Sequence, residues 1–378
     1  MRRIGLVLLC AASSVASAQP DFVPDRVVVV GRARDTAPWT DAPTEARLDE
    51  PAELAAVVIG HRGKRTSMLA PEGITTVRLG GRAIAVEPLA AARFRWSTVE
   101  PHGFRSTPAA NGATSDFYSN VSTEPTTFGR WLGYDHIDYW ERVIVPWSET
   151  ARIPAEITSG EPTAPEPAHL GTQRFKVEVE LGGVHLASAG AEATDTFGAT
   201  RAVHRVSIRK DDSFLGWLSA YLLVPEVFGS AGGGRDHQTE RFTGADCADV
   251  MVGAARRMGR QLAYTNVAGL PSYTKVVAPA TELDDHGVPA HAITGIAAGD
   301  LIRIDYGGAL RHHTPRAFDH VAALWEDRSD PHGPFHGGPD GQLDGFDLVI
   351  HMGHPRLVIE PLAAQAPATI DVLRWRQK

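Results

Sequence analysis

Short apolar runs broken by glycine and proline set the character of the first part of the chain. Val27 to Val30, Leu54 to Ile59, Ile74 to Leu79, Ala83 to Val86 and Phe94 to Val99 are each of strand length. Gly80-Gly81 stands between two of them, where a tight hairpin needs residues that accept positive φ. The spacing predicts a small all-β domain over residues 19–148. Its aromatic region from Trp131 to Trp147, with Tyr134, Tyr139 and Trp140, reads equally as a packed β core or as a carbohydrate-binding face.

Residues 149–170 hold Pro154, Pro162, Pro165 and Pro167 among small and acidic residues, the composition of an extended linker. Strict alternation then returns. Phe175, Val177, Val179 and Leu181 alternate with Lys176, Glu178 and Glu180 before Gly182-Gly183 turns the chain into Val184 and Leu186. With Ala202 to Ile208 and the apolar segment Trp217 to Val227, residues 171–228 predict a sandwich-like β unit.

Beyond the Gly-rich stretch Gly229 to Gly234 the periodicity changes. That stretch lacks the Gly-Lys-Ser/Thr ending of a phosphate loop and reads as a hinge or turn. Val250, Met251, Ala254, Ala255 and Met258 recur at three- and four-residue intervals, which predicts a helix starting near Cys247. Asp246 is placed to cap its start, and Arg256, Arg257 and Arg260 gather near its end. Two apolar strands follow, one containing His320, Ala322 and Leu324 on one face, the other containing His351.

Composition and charge change this picture at three points. The balance of 37 basic against 45 acidic residues, net charge -8, offers no long-range attraction to nucleic acid or anionic membranes. Arg2 and Arg3 precede an apolar run from Ile4 to Ala12 and a small-residue stretch ending at Ala18, the pattern of a cleaved export signal over residues 1–18. The protein is therefore expected to be secreted or periplasmic, without an integral membrane segment after cleavage. The chain has two cysteines, and removal of the leader removes Cys10, so Cys247 is expected to remain without an internal disulfide partner.

A lone cysteine is ordinarily a small buried hydrophobe. At a helix start, however, free backbone amides and the helix dipole favour thiolate. A histidine beside it accepts the proton and later protonates a leaving amine, and a further polar group fixes the tautomer of that histidine. Cys247, His320 and His351 fit these roles as nucleophile, base and orienting group. His354 competes for the third role, and each histidine also has an ordinary core reading.

The ordered set formed by Asp246-Cys247 opening a helix, Ala298-Gly299-Asp300-Leu301-Ile302-Arg303-Ile304, His320-Val321-Ala322 and Val349-Ile350-His351-Met352 resembles the NlpC-type cell-wall cysteine peptidases of the papain-like superfamily. The resemblance covers about residues 229–365. It departs from the family pattern at Ala248-Asp249, where Ser-Gly is usual, and at Ala245, where an aromatic residue is usual.

The resemblance implies a papain-like α+β catalytic domain over residues 229–378 and hydrolysis of an amide bond through a thioester. It also implies a substrate among peptidoglycan peptides. The expected architecture is thus multidomain, with N-terminal all-β, sandwich-like domains followed by that α+β domain. A non-catalytic envelope-binding protein is the alternative.

Ten of the sixteen histidines lie beyond residue 236, which makes His286, His291, His312, His313, His332, His336, His351 and His354 the possible zinc ligands. None belongs to a His-Glu-x-x-His helix, and a Cys-rich site is impossible with one cysteine. Asp340, Asp344 and Asp347 lie at the offsets of the second half of an EF-type loop, which makes them calcium candidates beside the simpler reading of a solvated acidic turn. No cofactor is required by the expected chemistry.

Overall fold

The computed structural model describes residues 22–101, 120–121, 134–158, 169–195, 197–227, 229–231, 237–307, 318–353 and 356–376. The expected leader with Cys10, together with Trp131, Pro162, Pro165, Pro167, 232–234, His312, His313 and His354, lies outside these residues.

The apolar runs become three large sheets. The first is centred on Phe22–Ala33 and Ala52–Arg62, which pair antiparallel along nearly their whole length. Its hairpin Thr76–Leu79 to Arg82–Ala85 turns on Gly80 and Gly81 at φ of 56° and 81°, the backbone that a two-residue primed turn demands. The second sheet runs in the order Tyr139–Ser148, Arg93–Pro101, Gly171–Leu181, His204–Arg209 and Thr44–Arg47. Strands from both sides of the Pro-rich segment therefore pair directly, and Arg152–Pro154 within that segment joins the first sheet.

The third sheet is antiparallel throughout, in the order Thr274–Leu283, Ala368–Trp375, Leu301–Asp305, His320–Glu326, Leu348–Met352 and Leu357–Pro361. Gly299, at φ 89°, donates its amide to the Leu324 carbonyl at 2.8 Å. Asp300 caps the Ala297 amide and takes both Nε and Nη2 of Arg374 at 2.6 Å. The Gly-Asp-Leu turn is thereby pinned to the strands on either side of Leu301–Asp305.

Period-2 alternation divides this sheet between two cores. Val321, Ala323, Ile350, Met352 and Leu373 belong to the large cluster that also holds Val250, Met251, Ala254 and Ala255 of the helix Cys247–Arg257. The same cluster includes Leu54, Trp96, Phe175 and Leu218, so apolar packing is continuous from the first sheets to the third. Ile302, Ile304, Ala322, Leu324, Val349 and Val372 face a separate core with Leu283, Ile293, Leu343 and Leu362.

The expected papain-like α+β domain at the C-terminus is not what the chain forms. The described residues are mostly β, with 48% of them in strands and 11% in helices. After Arg257 the sequence has β-branched alternation interrupted by glycine and proline, and no further apolar run of helical period long enough to make another layer. The expected helix forms at Cys247–Arg257, 11 residues long, and packs against the short helices Phe214–Ser219 and Gln238–Arg241 and the strand His320–Glu326.

Candidate functional site

Asp246 explains why the helix begins where it does. It is extended at φ -99°, and its carboxylate accepts the Asp249 amide at 2.8 Å and the Gly229 amide at 3.0 Å. Cys247 is then the first helical residue, half-buried, at the edge of a cavity of about 530 Å³. Asp246, Asp249, Gly229, Tyr264, Asn266 and Phe318 form parts of the cavity wall.

The thiol is not the activated thiolate that a helix start alone would favour. Burial raises its pKa, the neighbouring Asp246 charge raises it further, and Asp249 adds in the same direction; backbone groups of Val321 and Ala248 pull the opposite way. Burial first, and the two carboxyls beside the sulfur second, thus hold the thiol protonated.

Asp249, where the family pattern has glycine, is a buried acid. Its Oδ2 accepts from the Ser230 hydroxyl at 2.8 Å and from the Ala231 amide at 2.7 Å. Burial, with Asp246 next to it, nevertheless pushes its pKa up to about 7. Asp246 is raised by burial as well, so the two carboxyls do not both ionise freely at neutral pH.

The histidines come together in a chain of hydrogen bonds. Adjacent strands place Nε2 of His320 2.9 Å from Nδ1 of His351, with the rings perpendicular and their centroids 5.0 Å apart. Nε2 of His351 lies 2.9 Å from Oε1 of Glu360. The Gln365 amide donates to the same oxygen at 2.6 Å, and the Tyr306 hydroxyl donates to the Gln365 carbonyl oxygen.

These partners fix the tautomers. A carboxylate can only accept, so His351 carries its hydrogen on Nε2 and its Nδ1 is an acceptor. His320 must then donate from Nε2, which leaves Nδ1 as its basic nitrogen. The 3.2 Å approach of Gln365 Nε2 to His351 Nε2 joins two donors and is not counted as a hydrogen bond. Burial and the adjacent His351 depress the His320 pKa to about 3, while the bond from His351 holds Glu360 below its ordinary value. At neutral pH, His320 is uncharged and Glu360 is ionised.

Cys247 and His320 approach from different sides of the sheet. The helix packs on the face of Val321 and Ala323, whereas His320 shares its face with Ala322 and Leu324. The strand begins at His320, so at the sheet's end the thiol meets the backbone of Val321, the next residue. Tyr306, half-exposed and 6.1 Å ring to ring from His320, has its pKa raised by burial and next by Cys247.

Glu360, Gln365 and Tyr306 were missed from sequence. Parity through one hairpin could have found Glu360: Val349 pairs with Glu360 and His351 with Val358, so His351 and Glu360 lie on the same face. Gln365 sits in a 3-10 turn and Tyr306 just past a strand end, positions that no periodicity marks.

The acidic loop is built on different contacts. Asp340 accepts from the Gln342 amide and Asp344 from the Phe346 amide, at 2.9 and 2.8 Å, while the two oxygens of Asp347 accept from Arg328 and Asp344 amides at 2.8 Å. These carboxylates shape turns. Among the described residues, no three His, Cys, Asp or Glu side chains converge as a metal site.

The chain matches no protein-family model, no curated protein and no solved structure.

Proposed function

We propose that the protein is an exported cysteine hydrolase that cleaves an amide bond through a thioester, with peptidoglycan peptides as the substrate class. The observation that carries this reading is the hydrogen-bonded relay Glu360–His351–His320, which ends on the strand whose backbone meets a cavity-lining cysteine. It leaves a basic nitrogen on His320, at the start of the strand whose second residue touches the thiol.

In the resting site both partners are neutral. Attack therefore couples two events: Sγ of Cys247 bonds to the carbonyl carbon while its proton passes to Nδ1 of His320, and the carbonyl π electrons move to oxygen. His351 and the Glu360 carboxylate stabilise the imidazolium that forms. Collapse of the oxyanion breaks the C–N bond, and the amine leaves with the proton from His320. Water, deprotonated by His320, then attacks the thioester, releases the acid and restores the thiol.

The Asp249 amide is engaged by Asp246, so the amide of Cys247 itself is assigned to the oxyanion. The test is incubation of the purified protein and its Cys247→Ala variant with peptidoglycan fragments, followed by amine release and by mass spectrometry for an acyl adduct. Undiminished cleavage by the variant would remove Cys247 from the mechanism.

A second reading, a non-catalytic envelope-binding protein, is favoured by one observation: the burial and the neighbouring carboxyls that suppress thiolate at Cys247. It predicts fragment binding without cleavage, and ordinary slow alkylation of the thiol at neutral pH.

A further inference from the structure

A second cavity, of about 210 Å³, lies between the second sheet and the far end of the cysteine helix, and its wall is dominated by arginine. Arg174 and Arg205 reach it from strands, Arg241 from a one-turn helix, Arg257 from the last turn of Cys247–Arg257, and Arg201 from an exposed loop.

Arg205, Arg257 and Arg241 have carboxylate partners. Arg205 bonds Glu45 at 2.6 Å, Arg257 bonds the same oxygen at 2.8 Å, and Arg241 bonds Asp195 at 2.9 Å. Glu240 is shared between Arg256 at 3.1 Å and Arg257 at 3.9 Å.

Arg174 differs. It is 6% exposed, and among the described residues its hydrogen bonds go to the carbonyls of Arg241 and Phe242, at 2.8 and 3.2 Å. Its ionisable neighbours are the phenol of Tyr139, kept neutral by burial, and the cations Arg205 and Arg241. Burial accordingly pulls Arg174 down to about 10. The Nε atoms of Arg241 and Arg257 are also buried without a hydrogen-bond partner among the described residues.

A buried guanidinium with no counter-charge is costly, and unused N–H groups beside it add to that cost. An anion in the cavity offsets both. Forks arriving from several elements suit acceptor oxygens pointing in several directions, which a tetrahedral group has and a planar carboxylate lacks.

We propose that this cavity is a binding site for a tetrahedral oxyanion, a phosphoryl group on a small molecule or free phosphate, with Arg174 as its buried counter-charge. The site is separate from the Cys247 cavity and does not depend on the hydrolase reading.

The test is thermal unfolding of the full chain with inorganic phosphate, and in parallel with chloride and with acetate at equal ionic strength. Phosphate raises Tm saturably, by about 2–4 °C at concentrations well above Kd. Arg174→Gln abolishes that shift; since this buried change can itself impair folding, the rim variant Arg201→Gln is measured beside it and weakens phosphate about tenfold. No shift beyond that in chloride overturns the site, and an equal shift with acetate overturns the tetrahedral assignment. A phosphate shift unchanged in Arg201→Gln, and in Arg174→Gln where it folds, places the anion elsewhere.

Discussion

The two ends of the helix Cys247–Arg257 hold opposite chemistry. At its start Asp246 and Asp249 crowd a thiol; at its end Arg256 and Arg257 meet Glu240 and Glu45. Both ends follow the helix dipole, which favours acids at the start and bases at the finish. At the cysteine, however, burial of the sulfur, with those acids adding to it, opposes what the dipole offers. At the arginine end charge is left over, because Arg174 joins the cluster without an acid of its own. Compliance with a local rule thus yields a subdued nucleophile at one end and an unfilled electrostatic demand at the other.

Loss of the thiol is the sharpest way to break the comparison. Cys247→Ala, and separately His320→Ala, should lower amide cleavage by about 10³-fold or more, read as amine release. His351→Ala should cost about 10–100-fold, because it frees the His320 tautomer without removing the base; activity equal to wild type would show that the relay to Glu360 has no catalytic part.

Asp246→Asn tests the charge itself. Asparagine keeps the cap, so the helix should survive, and if the thiol pKa falls by a unit the rate of iodoacetamide labelling at pH 8 should rise about tenfold. An unchanged rate would mean that burial alone suppresses the thiolate.

Smaller effects appear in stability. Asp249 is raised to about 7, so below that pH the folded state holds a proton that the unfolded state releases near 3.8. Its contribution favours folding at low pH and is lost as pH rises through 7. Asp249→Asn should therefore gain roughly 1–2 kcal/mol relative to wild type at pH 8, with less difference at pH 5, by urea unfolding.

His320, and His204 in the second sheet, carry the opposite sign. Burial depresses both to about 3, so stability present above 6.5 declines as pH falls from 6.5 toward 3. Wild-type Tm should drop over that window, and His320→Asn should flatten part of the slope.

Several local features were legible in the sequence because neighbouring residues determine them. The hairpin at Gly80-Gly81, the alternation from Phe175 to Leu181 and the helix opening at Cys247 behind the Asp246 cap all follow from backbone preference and from the period of the apolar positions. His320 and His351 were named together through resemblance rather than period, and they lie 2.9 Å apart. The papain-like α+β layer expected around them did not follow, because a few motif residues fix strands and a helix start while saying little about what else packs on the sheet.

Tertiary structure alone decided the rest. The Gly171–Leu181 strand lies beside Arg93–Pro101, across the Pro-rich segment, because burial of both faces rewards that pairing. Glu360 became the end of the histidine relay through hairpin register, and Arg174 met four other arginines from distant parts of the chain. The state of Cys247 belongs to the same class. A helix start read from sequence promised thiolate, but pKa depends on solvent access and on every charge nearby, and those are properties of the assembled site.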